Sequence, residues 1–154
     1  MIIKTTRFGE IEIDENKIIF FPRGILGFPD QRRFVLLPHR EDSPFCWLQA
    51  VDDPDLTFVV VNPFVINPDY KPEFKDEVLG GLEIEEGDVI DLLSIVTVPR
   101  ENPQAMTANL LGPIVINVSK RLAKQVVLDP HKYPLKYPLL SGKRDRDEGS
   151  EAVG

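Results

Sequence analysis

Residues 89–98 read Val-Ile-Asp-Leu-Leu-Ser-Ile-Val-Thr-Val, one of the longer apolar runs in a chain of 154 residues. Aliphatic and β-branched residues dominate it, as is typical of a strand in a half-buried pleated sheet. Fourteen prolines exclude long helices, because each lacks a backbone donor and clashes with the preceding turn. We therefore predict an all-β fold, a small antiparallel barrel-like or sandwich domain with one or two short helical turns. The other predicted strands are residues 2–6, 8–13, 17–21, 34–37, 45–51, 56–62, 105–111, 114–118 and 124–128.

Three segments carry turn or helix signals. Residues 14–16, Asp-Glu-Asn, predict a turn that joins the strand at 8–13 to a return strand at 17–21. Residues 73–82 are the best helical candidate, since apolar residues recur there at a spacing of four, but two consecutive glycines shorten the prediction to a single turn. Residues 117–122 form a second candidate for a short turn.

The C-terminal region has two parts of different character. The tetrapeptide Lys-Tyr-Pro-Leu occurs at 132–135 and again at 136–139, which predicts an extended chain along the surface with its tyrosines and leucines buried. A docking strap for a partner is the alternative. Residues 141–154 are mostly charged and small, so we predict a disordered tail there and a single domain over residues 1–140.

Bulk properties narrow the class of protein. No apolar run approaches the roughly 18 residues that a membrane-spanning helix requires, and residues 1–7 lack the features of a secretory signal. The single cysteine, Cys46, rules out an intrachain disulfide and suits a reducing compartment. We therefore expect a cytoplasmic protein without membrane attachment.

Charge is concentrated in one stretch. The chain has a net charge of −7, and residues 69–91, with nine acidic and two basic side chains, account for all of it. A nucleic-acid binder needs the opposite sign, because its affinity comes largely from neutralising phosphates, so we expect no direct nucleic-acid binding. A basic protein would be attracted to such a stretch. The alternative is a solvated acidic face that serves solubility.

Patterns typical of catalysis or metal binding do not occur. His39 and His131 are the only histidines, and no metal-ligand spacing includes them. Cys46 lies in an apolar run, which favours a buried, inert thiol over a nucleophile. The segment 52–55, Asp-Asp-Pro-Asp, lacks the alternating spacing of a calcium loop and predicts a turn in which aspartate accepts from the backbone two residues on. We predict no enzymatic activity and no bound metal or cofactor.

Four strings occur in a fixed order along the chain: FFPRGILGF at 20–28, WLQAVDDPDL at 47–56, NLLGPIVIN at 109–117 and QVVL at 125–128. Together they resemble the FliW family of bacterial flagellar assembly factors, and the resemblance extends over residues 1–140. It implies a small, mostly β, barrel-like cytoplasmic protein without catalytic activity, a chaperone-like factor that is a monomer when free.

The resemblance also implies two protein partners. Members of the FliW family bind flagellin near its chain ends before export. They also bind and antagonise CsrA, a small dimeric RNA-binding protein that represses flagellin translation. Export of flagellin would then free the factor to bind CsrA, so that translation of flagellin follows its export.

Candidate partner-binding residues come from the family-like strings and from the acidic stretch. The strings offer polar residues that we expect to be exposed: Arg23, Gln49, Asp52, Asp53, Asp55 and Asn109. For the acidic stretch we predict that Glu83, Glu85 and Glu86 recognise a basic surface of CsrA. For flagellin we predict an amphipathic terminal helix that docks near Leu26 and Phe28.

Two other classes of function stay open at this point. A small β-barrel can bind a flavin-type ligand or act as an enzyme, and Trp47 with nearby phenylalanines could stack on a ring. Against this, arginine, serine and threonine are not clustered as a flavin phosphate would require. A plain oligomerising module is the third class.

Overall fold

The computed structural model describes residues 1–140. Helical turns are few: α1 (Pro63–Ile66) and 3₁₀ turns at Glu15–Lys17, Asp76–Leu79 and Pro103–Ala105. Within these residues no helix is long and apolar enough to cross a membrane. The eleven strands are β1 (Ile2–Thr5), β2 (Gly9–Glu12), β3 (Ile19–Phe20), β4 (Arg33–Pro38), β5 (Phe45–Ala50), β6 (Thr57–Val61), β7 (Ile90–Thr97), β8 (Thr107–Ala108), β9 (Ile114–Asn117), β10 (Leu122–Gln125) and β11 (Tyr137–Pro138).

Seven of these strands close into a barrel. Their order is β7-β6-β5-β4-β3-β10-β9, and β9 pairs again with β7. All neighbours are antiparallel except β3 and β10, which are parallel and share a single pair, Phe20 with Leu122. β8 and β11 extend the sheet beside β7, and β1 and β2 form a separate hairpin. The all-β prediction is confirmed, and the barrel, rather than the sandwich, is the correct alternative.

The long run at 89–98 supplies the strand that closes the barrel. The first half of β7 pairs with β9, from Ile90 opposite Asn117 to Leu93 opposite Ile114. Its second half pairs with β6, where Val96 lies opposite Val59. Leu93 and Ile95 face the barrel interior while Leu92 and Val96 pack into clusters on the outside, so both faces of this strand need apolar residues.

One apolar cluster fills the barrel. Phe21, Phe34, Leu48, Val60 and Ile114 are fully buried in it. The rings of Phe21 and Phe34 meet edge to face, with centroids 5.1 Å apart. Burying each of these side chains stabilises the fold by roughly 1.5–3 kcal/mol from transfer alone. Because every barrel strand contributes to this one cluster, it holds the closed form together.

The N-terminal hairpin differs from its prediction. β2 pairs with β1, where Ile3 lies opposite Ile11, and does not pair with residues 17–21. Asp14 does begin a turn, since its Oδ1 accepts from Asn16 N at 2.9 Å. The chain after that turn enters the barrel because Ile19 belongs to the interior cluster, whereas Ile3 packs in a separate cluster outside it.

The short turns are largely as predicted, with one omission. The 3₁₀ turn at Asp76–Leu79 confirms a single helical turn in residues 73–82. α1 was not predicted, although Asn62 precedes it and accepts from Phe64 N at 2.8 Å, and proline occupies its first position. Only two residues of the predicted strand at 105–111 form a strand, β8.

The second copy of the repeated tetrapeptide adds strand β11, as the predicted extended chain requires. The first copy begins in a turn instead, because Lys132 N and Tyr133 N both donate to Asp129 O at 3.0 Å. Tyr133 donates its hydroxyl to Lys71 O at 2.8 Å, and Leu139 packs beside Met106. Both tyrosines are half-buried. Leu135 is 54% exposed, so its predicted burial is wrong, because the chain turns it away from the barrel. The predicted tail at 141–154 lies outside the described residues.

Candidate protein-binding surfaces

The loop between β3 and β4, residues 22–31, closes one end of the barrel. Ile25 is 2% exposed and belongs to the interior cluster. Two glycines allow the loop its tight path, since both have positive φ, 66° at Gly24 and 90° at Gly27. A side-chain carbon at Gly24 would lie 2.7 Å from the Cα atom of Pro29, so the loop admits no larger residue there without a shift of its backbone.

The same loop presents apolar residues to solvent. Leu26 is 62% exposed, and its backbone N–H donates to Gln125 Oε1 at 3.0 Å, which ties the loop to β10. Phe28 is 40% exposed and makes an edge-to-face contact with Phe58, with ring centroids 5.6 Å apart. Arg23 is exposed, as predicted, and lines a cavity of about 300 Å³ beside Leu26. An arginine, two exposed apolar side chains and a shallow cavity thus occur together.

The Asp-Asp-Pro-Asp segment is the turn that its sequence predicts. Asp53 Oδ1 accepts from Asp55 N at 3.0 Å, the bond to the backbone two residues on. Asp55 accepts from the Thr6 hydroxyl, and Pro54 O accepts from Thr6 N at 2.9 Å, so the turn holds the N-terminal hairpin. No group of three or more metal-ligating side chains occurs within residues 1–140.

Asp52 forms a two-pronged ion pair with Arg33. The Arg33 Nε and Nη2 atoms donate to the two carboxylate oxygens at 3.0 and 2.5 Å. This hydrogen bonding lowers the pKa of the Asp52 carboxyl and raises the pKa of Arg33. Both side chains are about half exposed, 51% and 40%, so the pair is screened by water and contributes modestly to stability.

Two of the candidate polar residues serve the fold. Gln49 is fully buried, and its amide donates to Ala50 O at 3.0 Å and Asp53 O at 3.3 Å, so the prediction that it is exposed is wrong. It points back at the turn that follows its own strand. Asn109 is half-buried rather than exposed as predicted, because its Oδ1 accepts from Leu111 N at 3.0 Å and Gly112 N at 2.7 Å, which holds the turn before β9.

Residues 83–88, Glu-Ile-Glu-Glu-Gly-Asp, form a loop that Lys120 holds in place, and we call it the acidic loop. Lys120 Nζ lies 2.5 Å from Glu85 Oε1 and 3.1 Å from Asp88 Oδ2, and it also donates to the carbonyl of Glu83. Glu83 and Glu86 point into solvent and form no ion pair within residues 1–140. The carboxylates are therefore presented on a fixed loop.

Asp88 is the internal anchor of the acidic loop. Its Oδ2 accepts from Glu85 N at 2.9 Å and from Asn117 Nδ2 at 3.0 Å. These bonds, the first of them above all, lower the pKa of the Asp88 carboxyl. Asn117 is fully buried at the end of β9 and also donates to Leu82 O at 2.9 Å. The acidic loop is thus bonded directly to a barrel strand.

The sequence did not predict that Lys120 and Gln125 hold the two candidate loops in place. Each acts on a segment that is distant in the sequence, 35 residues away for Lys120 and Glu85, and 99 for Gln125 and Leu26. The sequence did offer one signal for Lys120. It is a lysine on a predicted turn, and the chain has one strongly acidic stretch with which such a lysine could pair. For Gln125 no signal existed beyond its place in a family-like string.

The Trp47 ring, which could stack on a flavin, is in contact with two side chains of the N-terminal segment. The Arg7 guanidinium lies over the Trp47 ring, 4.4 Å from its centroid, and Phe8 contacts the same ring edge to face. Cys46, near Trp47, is half-buried rather than fully buried, and burial raises the pKa of its thiol, which favours the unreactive form. The contacts with Arg7 and Phe8 cover part of the Trp47 ring, which also lines a cavity of about 400 Å³ with His39 and Phe45.

Comparison with known proteins gives one consistent result. The sequence pattern that defines the FliW protein family matches residues 2–139. Flagellar assembly factor FliW from Syntrophus aciditrophicus is 46% identical over 143 residues, which cover 93% of this chain and 90% of that one. The Geobacter sulfurreducens protein of the same name is 45% identical over 154 residues, covering 100% and 93% of the two chains. A crystal structure of the flagellar assembly factor FliW superposes with a TM-score of 0.83 at 43% identity, covering 93% and 99%.

Proposed function

The chain belongs to the FliW family of flagellar assembly factors, and from this premise we propose that it works without catalysis by binding two proteins in the cytoplasm, flagellin and CsrA. Binding of CsrA would relieve repression of flagellin translation. Binding of flagellin before export would withdraw the factor from CsrA. The two events together would couple the translation of flagellin to its export.

The observation that carries the CsrA part of the proposal is the fixed acidic loop at 83–88. Lys120 and Asn117 tie it to the barrel, while Glu83 and Glu86 stay free of ion pairs within the described chain. A loop that is already ordered loses little conformational entropy on binding. Its charge attracts a basic surface and accelerates association.

The surface that supports flagellin binding is the loop at 22–31, which lies between β3 and β4. Leu26 and Phe28 expose apolar area next to Arg23 and a cavity of about 300 Å³. An amphipathic helix docks into such a surface through apolar side chains on one face. Asp52, Asp53, Asp55 and Asn109 remain proposed contacts. Asp52 also pairs with Arg33, whereas the other three hold turns of the fold.

Mutual exclusion of the two partners requires a thermodynamic coupling between their sites. If flagellin lowers the affinity for CsrA, then CsrA must lower the affinity for flagellin by the same factor. Lys120 lies in the turn just before β10 and Gln125 is the last residue of that strand, and each bonds to one of the two candidate surfaces. This short strand would therefore carry the coupling between them.

Charge reversal tests the acidic loop. We expect the triple variant Glu83→Lys, Glu85→Lys and Glu86→Lys to slow CsrA association strongly at low salt, with a smaller effect at high salt. The matched control reverses Glu10, Glu41 and Glu101, which are exposed elsewhere and change the net charge equally. Stopped-flow association rates measure both. Equal slowing by the two variants would leave only a net-charge effect and remove the loop from the proposal.

Substitution in the loop at 22–31 tests the flagellin surface. We expect Leu26→Asp to abolish flagellin binding while CsrA binding is retained. The exposed Leu135 provides the matched control, Leu135→Asp. Calorimetric titration with flagellin measures both variants. Undiminished binding by a folded Leu26→Asp protein would exclude this surface.

The alternative function is the binding of a flavin-type ligand. Absorption spectra of the purified protein test it, because a bound flavin would show its absorption bands.

A further inference from the structure

The barrel end opposite the 22–31 loop is open. It lies where β7 and β10 begin and β9 ends, and it contains a cavity of about 430 Å³. The cavity floor consists of four interior apolar side chains: Ile19, Leu36, Leu93 and Ile116. Leu36 and Leu93 are only half-buried, so apolar surface meets water at the bottom of a concave site. Concave apolar surfaces of this kind in a barrel mouth are typical binding sites.

The turn from β9 to β10 joins this cavity to the acidic loop. Val118 and Arg121 line the cavity, while Lys120, between them, makes the ion pairs with the loop. Backbone bonds continue the connection, because Val118 N donates to Val89 O at 2.8 Å. Cavity and acidic loop are therefore two halves of one rigid surface.

Exposed apolar residues continue from the cavity onto its rim. Val118 is 43% exposed and Val89 55%. Each side chain would stabilise a complex if a partner covered it, at about 25 cal/mol per Å² of apolar surface. An apolar floor bordered by charged side chains of both signs, with the acidic loop beside it, has the composition of an interface core with a polar border.

Charged side chains of opposite sign line two sides of the cavity. Lys17 and Arg121 stand on the side of β3 and β10, and Arg121 Nη1 donates to Glu15 O at 3.2 Å. Asp91 stands on the side of β7, next to the acidic loop. A cation that accompanies an apolar group into the cavity therefore finds favourable potential on the β7 side.

We propose that the open barrel mouth is a socket for one large apolar side chain of a basic protein partner, with lysine or arginine next to that side chain facing Asp91 and the acidic loop. The inference rests on the proposal that the acidic loop binds a basic protein, and it adds the anchor that charge alone does not provide. Apolar anchors in pockets carry much of the energy of protein interfaces, whereas exposed ion pairs mainly govern rates.

Filling the mouth tests the socket with CsrA as the probe. We expect Val118→Trp to weaken CsrA binding at least tenfold at every salt concentration, with the slope of affinity against salt unchanged. The control is Leu135→Trp, which adds the same group to an exposed residue elsewhere and leaves affinity unchanged. Circular dichroism verifies folding. Should Val118→Trp fail to fold, the uncharged pair Val118→Phe and Leu135→Phe replaces it, with the same expected loss and the same unchanged salt slope.

The triple charge reversal at 83, 85 and 86 separates the two ideas. It removes the salt dependence, whereas the Val118 variants leave that dependence and lower the affinity. Normal affinity in the Val118 variants, with weakened binding in the triple variant, would overturn the socket and keep the acidic loop. Normal affinity in both would overturn both. Titration with decanoate tests whether the cavity binds a small amphiphile instead. If the unaltered protein binds decanoate, Val118→Trp does not, and Val118→Trp still binds CsrA normally, the cavity is a site for a small amphiphile and the proposal is overturned.

Discussion

The two ends of the barrel differ although the same seven strands form both. At one end the loop at 22–31 folds inward and buries Ile25 in the core. At the other end four interior side chains form the floor of a cavity of about 430 Å³, next to a fixed acidic loop. The barrel walls and the closing loop bury the core, so the other end can leave apolar surface uncovered for binding.

Core truncation should show the largest difference between the ends. We expect Phe21→Ala, at the closed end, to lower the free energy of unfolding by about 3–5 kcal/mol, because a fully buried aromatic leaves a cavity. Leu93→Ala, at the open end, should lower it by only about 1–2 kcal/mol, since this side chain already meets water. Urea unfolding measures both. Equal losses would mean that the two ends are packed alike.

Glycine substitution in the closing loop should have a smaller effect. We expect Gly24→Ala to cost about 2–3 kcal/mol, because a positive φ of 66° is combined with a collision against the backbone of residues 28 and 29. Gly27→Ala, with φ of 90° and open space around it, should cost about 1–2 kcal/mol. Thermal unfolding compares the two. A larger loss for Gly27→Ala would contradict the role of Gly24 in sealing this end.

The acidic loop at the open end should respond to protonation of Asp88. Its pKa is depressed below 3.8 in the folded protein, so its contribution is present above that pH and is lost as the pH falls through the folded value. We expect Asp88→Asn to reproduce this loosening at neutral pH, as faster amide exchange over residues 83–88. The control is Glu86→Gln, which changes a carboxylate of the same loop that forms no ion pair within residues 1–140. Unchanged exchange in Asp88→Asn would remove Asp88 as the anchor.

The smallest effect belongs to the Asp52–Arg33 pair near the closed end. We expect a double-mutant cycle with Asp52→Asn and Arg33→Met to give a coupling of about 0.5–1 kcal/mol, because both groups are half exposed. The lowered pKa of Asp52 places this contribution above its ordinary pKa of 3.8, and the contribution falls with pH below that value. A coupling above about 2 kcal/mol would indicate far stronger shielding from water.

Sequence patterns predicted the strands well and their partners poorly. The composition of residues 89–98 identifies β7, because aliphatic and β-branched residues dominate the run and its central part packs apolar side chains on both faces. The same pattern does not say that β7 pairs with both β6 and β9, which is the step that closes the barrel. The hairpin partner of β2 was wrong for the same reason, since two apolar strands flank it and only packing selects between them.

The candidate surfaces were predictable to the extent that they depend on local sequence. Charge counting found the acidic loop, and turn chemistry found the bond from Asp53 to Asp55. Burial of Gln49 was missed, because an amide before a polar turn looks exposed until the chain folds back over it. The open mouth could not be predicted, because its floor comes from four strands that meet only in the closed barrel.

Calorimetric titration of the protein with CsrA, with and without flagellin from the same cell, tests the proposed switch most directly. We expect CsrA to bind the protein and flagellin to abolish this binding. Simultaneous binding of both partners would contradict mutual exclusion, and binding of neither would contradict the proposed function itself.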